Sequence, residues 1–221
     1  MSPMNGSPRL PTPTKVAEHF PAIAELAALI NLPVWVIDLE STGFGAHRSL
    51  GIVEFASIHI PPDGQSTAFS TLIDPEVPIH WAATKVHGID EPAVRGAPTF
   101  LGIANGLRRG LSTTLVCGFN SRPYDLKVIQ GNAERYGLDP LIAVNQLDVR
   151  DIWVGLHGKK GTLGQAADKY QVQSGPAHRA HGDVLTTARL LDAILTRMGP
   201  EFARQYLTRT EPEETCILTT S

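Results

Sequence analysis

The order of the apolar segments predicts an α/β domain of the α+β kind, with a central mixed β-sheet flanked by helices. Three strand-like runs come first, at residues 34–37, 52–60 and 67–73. A Pro-Pro-Asp-Gly turn ends the second run, so the three runs predict an antiparallel meander. Helical patterns and short buried runs then alternate, which is typical of strands added in parallel to such a sheet.

Hydrophobic periodicity places the remaining elements. Apolar residues at helical spacing predict five helices, at 81–87, 100–109, 124–136, 162–170 and 183–198. A short apolar run at 115–119 predicts a buried strand between these helices, and residues 147–149 are predicted to add a short strand. Gly137 follows the third helix directly, and glycine is the residue that most often ends a helix.

The chain divides into a core and two flanks. Residues 1–13 are rich in Pro and Ser, which predicts disorder. Residues 14–33 are predicted to form an N-terminal helical extension, because their apolar residues recur every three to four positions. Residues 34–199 are predicted to form the core domain. Residues 200–221 are predicted to form a C-terminal helix and a flexible tail.

Composition narrows the class of protein. The chain has 221 residues, of which 42% are hydrophobic and 19% charged, as in ordinary globular domains. Its net charge of −3 gives no global basic field, so any nucleic-acid binding needs a local patch or a bound metal. Cys117 and Cys216 predict no disulfide framework. The first residues lack a signal-peptide layout and no apolar run reaches membrane-spanning length, so we expect a cytoplasmic protein with no membrane partner.

Two carboxylates at the end of the first strand are the most informative pair in the chain. Asp38 and Glu40 are two residues apart, so on a strand they point to the same face. They stand just before the Ser41-Thr42-Gly43 turn. Two like charges this close repel each other, and they fit together when a cation lies between them.

Three further residues stand at the edges of predicted elements. Asp125 opens a helix directly after a buried strand, and Asp183 belongs to the first turns of the last core helix. Gly175-Pro176 prevents a long helix before His178, which places this histidine on a loop. A loop histidine can face the same cleft as Asp183, whereas two residues five apart on one helix diverge by about 140°.

Four carboxylates and one histidine at such edges fit metal-assisted phosphoryl hydrolysis. Oxygen ligands favour Mg²⁺ or Mn²⁺ over Zn²⁺. Two such ions about 4 Å apart activate a water and stabilise both the entering and the leaving oxygen. A histidine titrates near neutral pH, so it can take the proton of that water.

Three blocks of the chain resemble the exonuclease motifs of the DnaQ-like, DEDDh-type 3′–5′ exonucleases. They are Asp38-Leu39-Glu40 with Ser41-Thr42-Gly43, then Asn120 to Asp125 (the family's Asn-x-x-x-Phe/Tyr-Asp), and His178 with Asp183 (the family's His-x-x-x-x-Asp). Order and spacing match across residues 34–198, and Val86-His87-Gly88-Ile89 resembles the family's His-Gly-Ile step. The chain is similar to the exonuclease X and exonuclease I types and to the polymerase III epsilon subunit. The sister class carries Tyr at the position of Arg179, so the histidine class is preferred.

The resemblance implies a ribonuclease H-like fold, with residues 34–199 as the exonuclease domain. It implies that Asp38 bridges two Mg²⁺ or Mn²⁺ ions. Glu40 and Asp183 would hold the ion that carries the attacking water, Asp125 would serve the second ion, and His178 would be the general base. The products would be nucleoside 5′-monophosphates, released one at a time from a free 3′ end.

The resemblance also implies substrate contacts. The backbone of Thr42 and Gly43 would meet the terminal 3′-hydroxyl, and Phe44 would stack on the terminal base. Asn120 would orient the site near the second ion. His87 stays open between a substrate contact and a helix-end histidine. Two other acids, Glu54 in the second strand and Asp148 at a strand end, are predicted to support the fold.

The predicted activity is hydrolysis of DNA from its 3′ end in repair or proofreading, with single-stranded DNA as the main substrate. One alternative is an exoribonuclease that acts on RNA ends or short oligonucleotides. Another is a proofreading subunit whose main task is to bind a DNA polymerase, and a homodimer is a further partner to consider. A catalytically dead binding module is disfavoured because all five catalytic side chains are present.

Overall fold

The computed structural model of the protein describes residues 10–45 and 47–210, and within them seven strands form one sheet. The strands are β1 Thr14–Lys15, β2 Val34–Ser41, β3 Ile52–Ile60, β4 Thr67–Leu72, β5 Leu115–Gly118, β6 Asn145–Asp148 and β7 Thr208–Arg209. They lie in the order β1-β4-β3-β2-β5-β6-β7. The meander β2-β3-β4 is antiparallel, whereas β5 and β6 run parallel to β2. The prediction of a mixed sheet in an α/β domain is confirmed.

Helices cover both faces of this sheet. They are α1 Pro21–Ile30, α2 Trp81–His87, α3 Glu91–Val94, α4 Phe100–Thr113, α5 Asp125–Arg135, α6 Val149–His157, α7 Leu163–Tyr170 and α8 Ala180–Met198. Side chains alternate along β2, so Val34 and Val36 join the apolar layer of α1 and α8. Trp35, Ile37 and Leu39 join the layer of α4 and α5. Because β2 is central and buried on both faces, a polar side chain on it needs a partner.

The flanks differ from their predictions. No helix covers residues 14–20, because Thr14 and Lys15 pair with β4 as an edge strand and α1 begins only at Pro21. Residues 10–13 form no helix or strand, and residues 1–9 lie outside the described part of the chain. At the other end, Pro200–Tyr206 forms a 3₁₀ helix and is followed by β7. The predicted flexible tail falls mostly on residues 211–221, which lie outside the description.

The strand predicted at 147–149 lies two residues earlier at its start and ends one residue earlier, because a helix begins at Val149. β6 ends at Asp148, whose carboxylate accepts a hydrogen bond from the backbone N–H of Arg150. This contact caps α6, so Val149 is helical instead of extended. α6 has no counterpart among the sequence predictions, although Ile152, Trp153 and Leu156 follow helical spacing.

The described residues also give the state of one cysteine and the character of the helices. Cys117 is a buried free thiol on β5, and burial raises its pKa, which makes it unreactive. Cys216 lies outside the described residues. Within residues 10–45 and 47–210, no helix combines the length and the apolar character needed to cross a lipid bilayer.

Candidate active site

Three of the predicted ligands meet between the centre of the sheet and α8. Asp38 and Glu40 continue the face of β2 that α8 covers, and Asp183 lies in the first turn of α8. One carboxylate oxygen of each residue lies within 4.8 Å of the others. The strand alternation therefore places both acids of β2 against the acid of the last helix, as the sequence pattern predicts.

Asp125 lies beside this group and is anchored to the strand. It is the first residue of α5 and is buried. Its Oδ1 accepts a hydrogen bond of 3.1 Å from the backbone N–H of Leu39, the residue between the two acids of β2. A second contact joins the same elements, since the hydroxyls of Tyr124 and Ser41 are 2.7 Å apart. Asp125 is outside the 4.8 Å group of three acids.

His178 lies on an exposed turn directly before α8. Its φ of 57° is left-handed, and its backbone N–H donates a 3.2 Å hydrogen bond to the carboxylate of Asp183. The turn is held tightly against α8, because a Cβ on Gly175 would lie 2.7 Å from the Cα of Gly182. The N–H of Gly175 also donates to the hydroxyl of Thr186 at 2.9 Å. The loop prediction for His178 is confirmed, and the loop ends beside Asp183.

The four carboxylates repel one another in this setting. Burial raises the pKa of Asp38, and the charges of Asp125, Asp183 and Glu40 raise it further. Burial, followed by the charge of Asp183, raises the pKa of Glu40 to about 7. Burial is also the main cause of the raised pKa values of Asp125 and Asp183. A cation held by these oxygens would reverse the shifts, and an oxygen-only donor set fits Mg²⁺ or Mn²⁺.

We expect the metal-free protein to lose stability as pH rises. A raised pKa means that the folded chain holds protons that the unfolded chain has released. Stability from such a group is complete below the ordinary carboxyl pKa of 4.5 and is lost as pH passes the value of about 7 for Glu40. The shift of Glu40 alone corresponds to on the order of 3 kcal/mol. In EDTA the melting temperature should be lower at pH 8 than at pH 5.5, and Mn²⁺ at pH 8 should raise it. A higher melting temperature at pH 8 in EDTA would contradict this account of the charges.

A buried ion pair fixes the start of α8 against the sheet. Glu54 of β3 stands directly opposite Glu40 and is only 2% exposed. Arg179 donates from Nε to Glu54 Oε2 at 3.0 Å and from Nη2 to Oε1 at 2.8 Å, and the N–H of Ala180 donates to Oε2 at 2.9 Å. Burial opposes ionisation, but these hydrogen bonds outweigh it and lower the pKa of Glu54. Glu54 therefore supports the fold, as predicted, and holds the residue next to His178.

We expect Arg179→Gln to lower the free energy of unfolding by about 2–3 kcal/mol, because it leaves the buried carboxylate of Glu54 without its cation. The loss is below the roughly 3–5 kcal/mol of a fully buried pair, since the side chain of Arg179 is 40% exposed. Urea unfolding at pH 7 measures it. Arg122→Gln is the matched control, because its pair with Asp151 is 43% exposed on both sides and should contribute less than about 1 kcal/mol. Equal losses in the two variants would remove the special role of Glu54.

Asp148 organises the loop that carries Asn120. Its carboxylate accepts hydrogen bonds from the backbone N–H groups of Asn120 at 2.8 Å and Arg122 at 3.1 Å. Asn120 adopts a left-handed φ of 67°, and its side-chain oxygen accepts from the guanidinium of Arg150. Asp148 thus supports the fold, as predicted. The side chain of Asn120 is bonded to Arg150 and not to the acids, and its role near a second ion stays a prediction.

In the turn after β2, most of the backbone polar groups form hydrogen bonds within the protein. The N–H of Thr42 donates to Gly51 O at 2.9 Å, and its carbonyl accepts from the N–H of His80 at 2.7 Å. Gly43 N–H, in contrast, has no hydrogen-bond partner within the described residues. Phe44 follows with 68% of its surface exposed. Of the substrate contacts predicted here, Gly43 N–H and the Phe44 ring are the groups left free for one.

His87 has both ring nitrogens engaged inside the protein. Nδ1 accepts from the N–H of Ile89 at 3.0 Å, so Nε2 carries the proton and donates to Ser41 O at 3.2 Å. The residue is 5% exposed, and burial lowers its pKa. These contacts agree with the helix-end reading, because His87 holds the end of α2 against the strand of the acids. Its contact with substrate stays a prediction.

Comparison with known proteins places this arrangement in a family. The model of the exonuclease family RNase_T matches residues 35–191, the segment that contains all five predicted catalytic residues. The chain belongs to the RNase T exonuclease family. This match, together with the epsilon-subunit relative and the exonuclease I and X structures described next, confirms the predicted kinship.

Two relatives with known names are similar to most of this chain. It is 27% identical over 167 residues to the DNA polymerase III subunit epsilon of Aquifex aeolicus, covering 74% of this chain and 80% of the relative. It is also 27% identical over 162 residues to the PolC-type DNA polymerase III of Streptococcus agalactiae. That match covers 72% of this chain but only 11% of the polymerase, so the chain corresponds to a small part of that relative.

Solved exonuclease structures share the fold. Exonuclease I of E. coli in complex with a dT13 oligonucleotide superposes with a TM-score of 0.68 at 17% identity, over 77% of this chain and 42% of the other. Exonuclease X in complex with 5′ overhanging duplex DNA gives a TM-score of 0.59 at 24% identity, over 75% and 93%. The ribonuclease H-like exonuclease fold predicted from the motifs is therefore confirmed.

Proposed function

We propose that this protein is a metal-dependent 3′–5′ exonuclease that removes nucleoside 5′-monophosphates from DNA, with single-stranded DNA as its main substrate. The observation that carries the proposal is the group of Asp38, Glu40 and Asp183, whose carboxylate oxygens lie within 4.8 Å of one another. Membership of the RNase T exonuclease family supports it. So do the complexes of structural neighbours with DNA, namely exonuclease I with a dT13 oligonucleotide and exonuclease X with 5′ overhanging duplex DNA.

Asp38, Glu40, Asp125 and Asp183 would hold two Mg²⁺ or Mn²⁺ ions. Bound there, the ions would lower the pKa of a water and neutralise charge on the scissile phosphate. The four carboxylates have the oxygen donors that these ions prefer, and the repulsion between them disfavours their ionisation when no cation is present.

His178 accepts the proton of the attacking water in this proposal. Its turn is exposed, its backbone N–H donates to Asp183, and its side chain is close enough for its positive charge to lower the pKa of that carboxyl. A general base at such a position contributes about 10²–10⁴-fold to the rate. Gly43 N–H binds the terminal nucleotide, and Phe44 stacks on its base, because these groups have no partner within the described chain.

A proofreading role beside a DNA polymerase is a second candidate. It is favoured by the match to the epsilon subunit of Aquifex aeolicus, which covers 80% of that relative. Co-purification of a polymerase with the native protein from its own cells, stable in 0.3 M salt, would support this role. A chain that purifies alone and digests DNA at full rate would support a stand-alone enzyme.

Substrate class is tested by offering single-stranded DNA, blunt duplex DNA and RNA of one sequence, each with Mg²⁺, Mn²⁺ or EDTA. We expect acid-soluble nucleotides from single-stranded DNA with either ion and none with EDTA. RNA digested at least as fast as DNA would replace the proposed substrate with the exoribonuclease alternative. Digestion that persists in EDTA would refute the metal requirement.

A further inference from the structure

An exposed face of α2 adjoins the turn that follows the two acids of β2. The N–H of His80, directly before α2, donates to Thr42 O at 2.7 Å. His87, at the other end of α2, donates to Ser41 O at 3.2 Å. The helix is therefore tied at both ends to the segment 41–42. A Cβ on Gly43 would lie 3.5 Å from the Cβ of His80, so the start of α2 lies in contact with the turn that leads to Phe44.

The face of α2 turned away from the protein carries an aromatic ring and a cation. Ala83 and His87 are buried, whereas Trp81 and Lys85 are exposed, and residues four apart share one helix face. Trp81 is 72% exposed, the most exposed large apolar side chain within the described residues. Lys85 forms no ion pair with any described residue. The indole of Trp81 packs against the imidazole of the neighbouring His80, with the ring centroids 5.6 Å apart, and most of its surface stays in solvent.

We infer that Trp81 and Lys85 form a binding subsite for the single strand just upstream of the terminal nucleotide. This inference rests on the proposed function. In this subsite Trp81 stacks on an unpaired base and Lys85 faces a backbone phosphate. Proteins that bind single-stranded nucleic acid without sequence preference combine aromatic and basic side chains in this way. The occupant is a single strand because a base inside a duplex has both faces covered by its neighbours and offers none to an indole. The subsite is continuous with Phe44 through the hydrogen bond of His80 with Thr42 and the close approach of His80 to Gly43.

The subsite makes affinity depend on the length of the substrate. Phe44 lies beside the place of the terminal nucleotide, whereas Trp81 lies one residue beyond His80 on the neighbouring helix. A substrate of one nucleotide reaches the acids without touching Trp81. An oligonucleotide of several residues reaches both aromatic rings. Trp81 therefore raises affinity for single-stranded oligonucleotides and leaves the chemical step unchanged.

The test compares two substrates in Trp81→Ala, namely dT8 and the p-nitrophenyl ester of thymidine 5′-phosphate. Because base stacking on an aromatic ring is lost, we expect KM for dT8 to rise about 5- to 100-fold, with kcat and the ester rate within about twofold of wild type. Trp81→Phe should recover most of the affinity, and Lys85→Gln should weaken dT8 binding mainly at low salt. Met198→Ala is the control, since Met198 is 45% exposed at the far end of α8.

A binding measurement gives a readout besides activity. Trp35 and Trp153 are only 8% and 3% exposed. Of the three tryptophans, Trp81 is therefore the one whose fluorescence a ligand in solvent can quench by contact. We expect dT8 in EDTA to quench that emission in wild type but not the remaining emission of Trp81→Ala. An unchanged KM for dT8, or equal losses on dT8 and the ester, overturns the subsite. A wild-type chain inert toward both substrates instead refutes the proposed function itself.

Discussion

We expect Asp38→Asn to lower kcat by about three to four orders of magnitude with Mg²⁺ present. Asp38 is the acid on which the other three converge, because the charges of Asp125, Asp183 and Glu40 all act on it. Removing its charge weakens the hold on both proposed ions, whose electrostatic stabilisation of the transition state is worth several kcal/mol. Digestion of 5′-labelled single-stranded DNA at saturating substrate measures the loss.

The same substitution should stabilise the metal-free protein at pH 8. Asn is nearly isosteric with Asp and removes one of four mutually repelling charges, so the melting temperature in EDTA should rise. Asp139→Asn is the matched control, because Asp139 is exposed in a loop and its carboxylate forms no hydrogen bond or ion pair with a described residue. Its activity should stay within twofold of wild type. Full activity in Asp38→Asn would remove this residue from the metal site.

We expect His178→Asn to lower kcat by about 10²–10⁴-fold, the usual contribution of a general base. Asn tolerates the left-handed φ of 57° that His178 adopts, so the turn should keep its shape. The exposed position of the side chain means that the free energy of unfolding should change by less than about 0.5 kcal/mol. Activity and urea unfolding of the same preparation therefore separate lost chemistry from lost structure.

His181→Gln distinguishes the two histidines of this segment. His181 is exposed, and its Nδ1 lies 3.7 Å from the carboxylate of Glu54. It stands two residues before Asp183, whereas the motif histidine stands five residues before it. Its rate should remain within about threefold of wild type. If His181→Gln is the slower variant and His178→Asn is fully active, the roles of the two residues must be exchanged.

Local sequence signals were sufficient for much of the fold. β3 and α2 have the bounds that their patterns predict, because proline, glycine and strict periodicity mark their ends. The predicted helix over residues 14–20 is wrong because pairing of Thr14–Lys15 with β4 overrides a weak apolar pattern. α6 is missed although Asp148 caps it, since the short segment Leu147-Asp148-Val149 fits a strand as well as a helix turn.

In the candidate site, too, local sequence features predict some of the arrangement and tertiary packing determines the rest. Asp38 and Glu40 are brought together by strand alternation, and His178 is set on a loop by Gly175-Pro176, both of which are local features. The pairing of Glu54 with Arg179 joins residues 125 positions apart, and no local pattern predicts such a contact. The sequence shows only Glu54 in a predicted strand and, much later, Arg179 beside the motif histidine. The hydrogen bonds of His87 depend equally on tertiary packing.

The most direct test of the proposed reaction is a time course on single-stranded DNA labelled at its 5′ end, with Mg²⁺ and the wild-type chain. We predict a ladder that shortens by one nucleotide at a time, with unlabelled nucleoside 5′-monophosphates released from the first time point. Labelled mononucleotide at that first point would mean attack from the 5′ end. Either that result or an intact substrate would contradict the assignment of this acid group to 3′–5′ exonuclease chemistry.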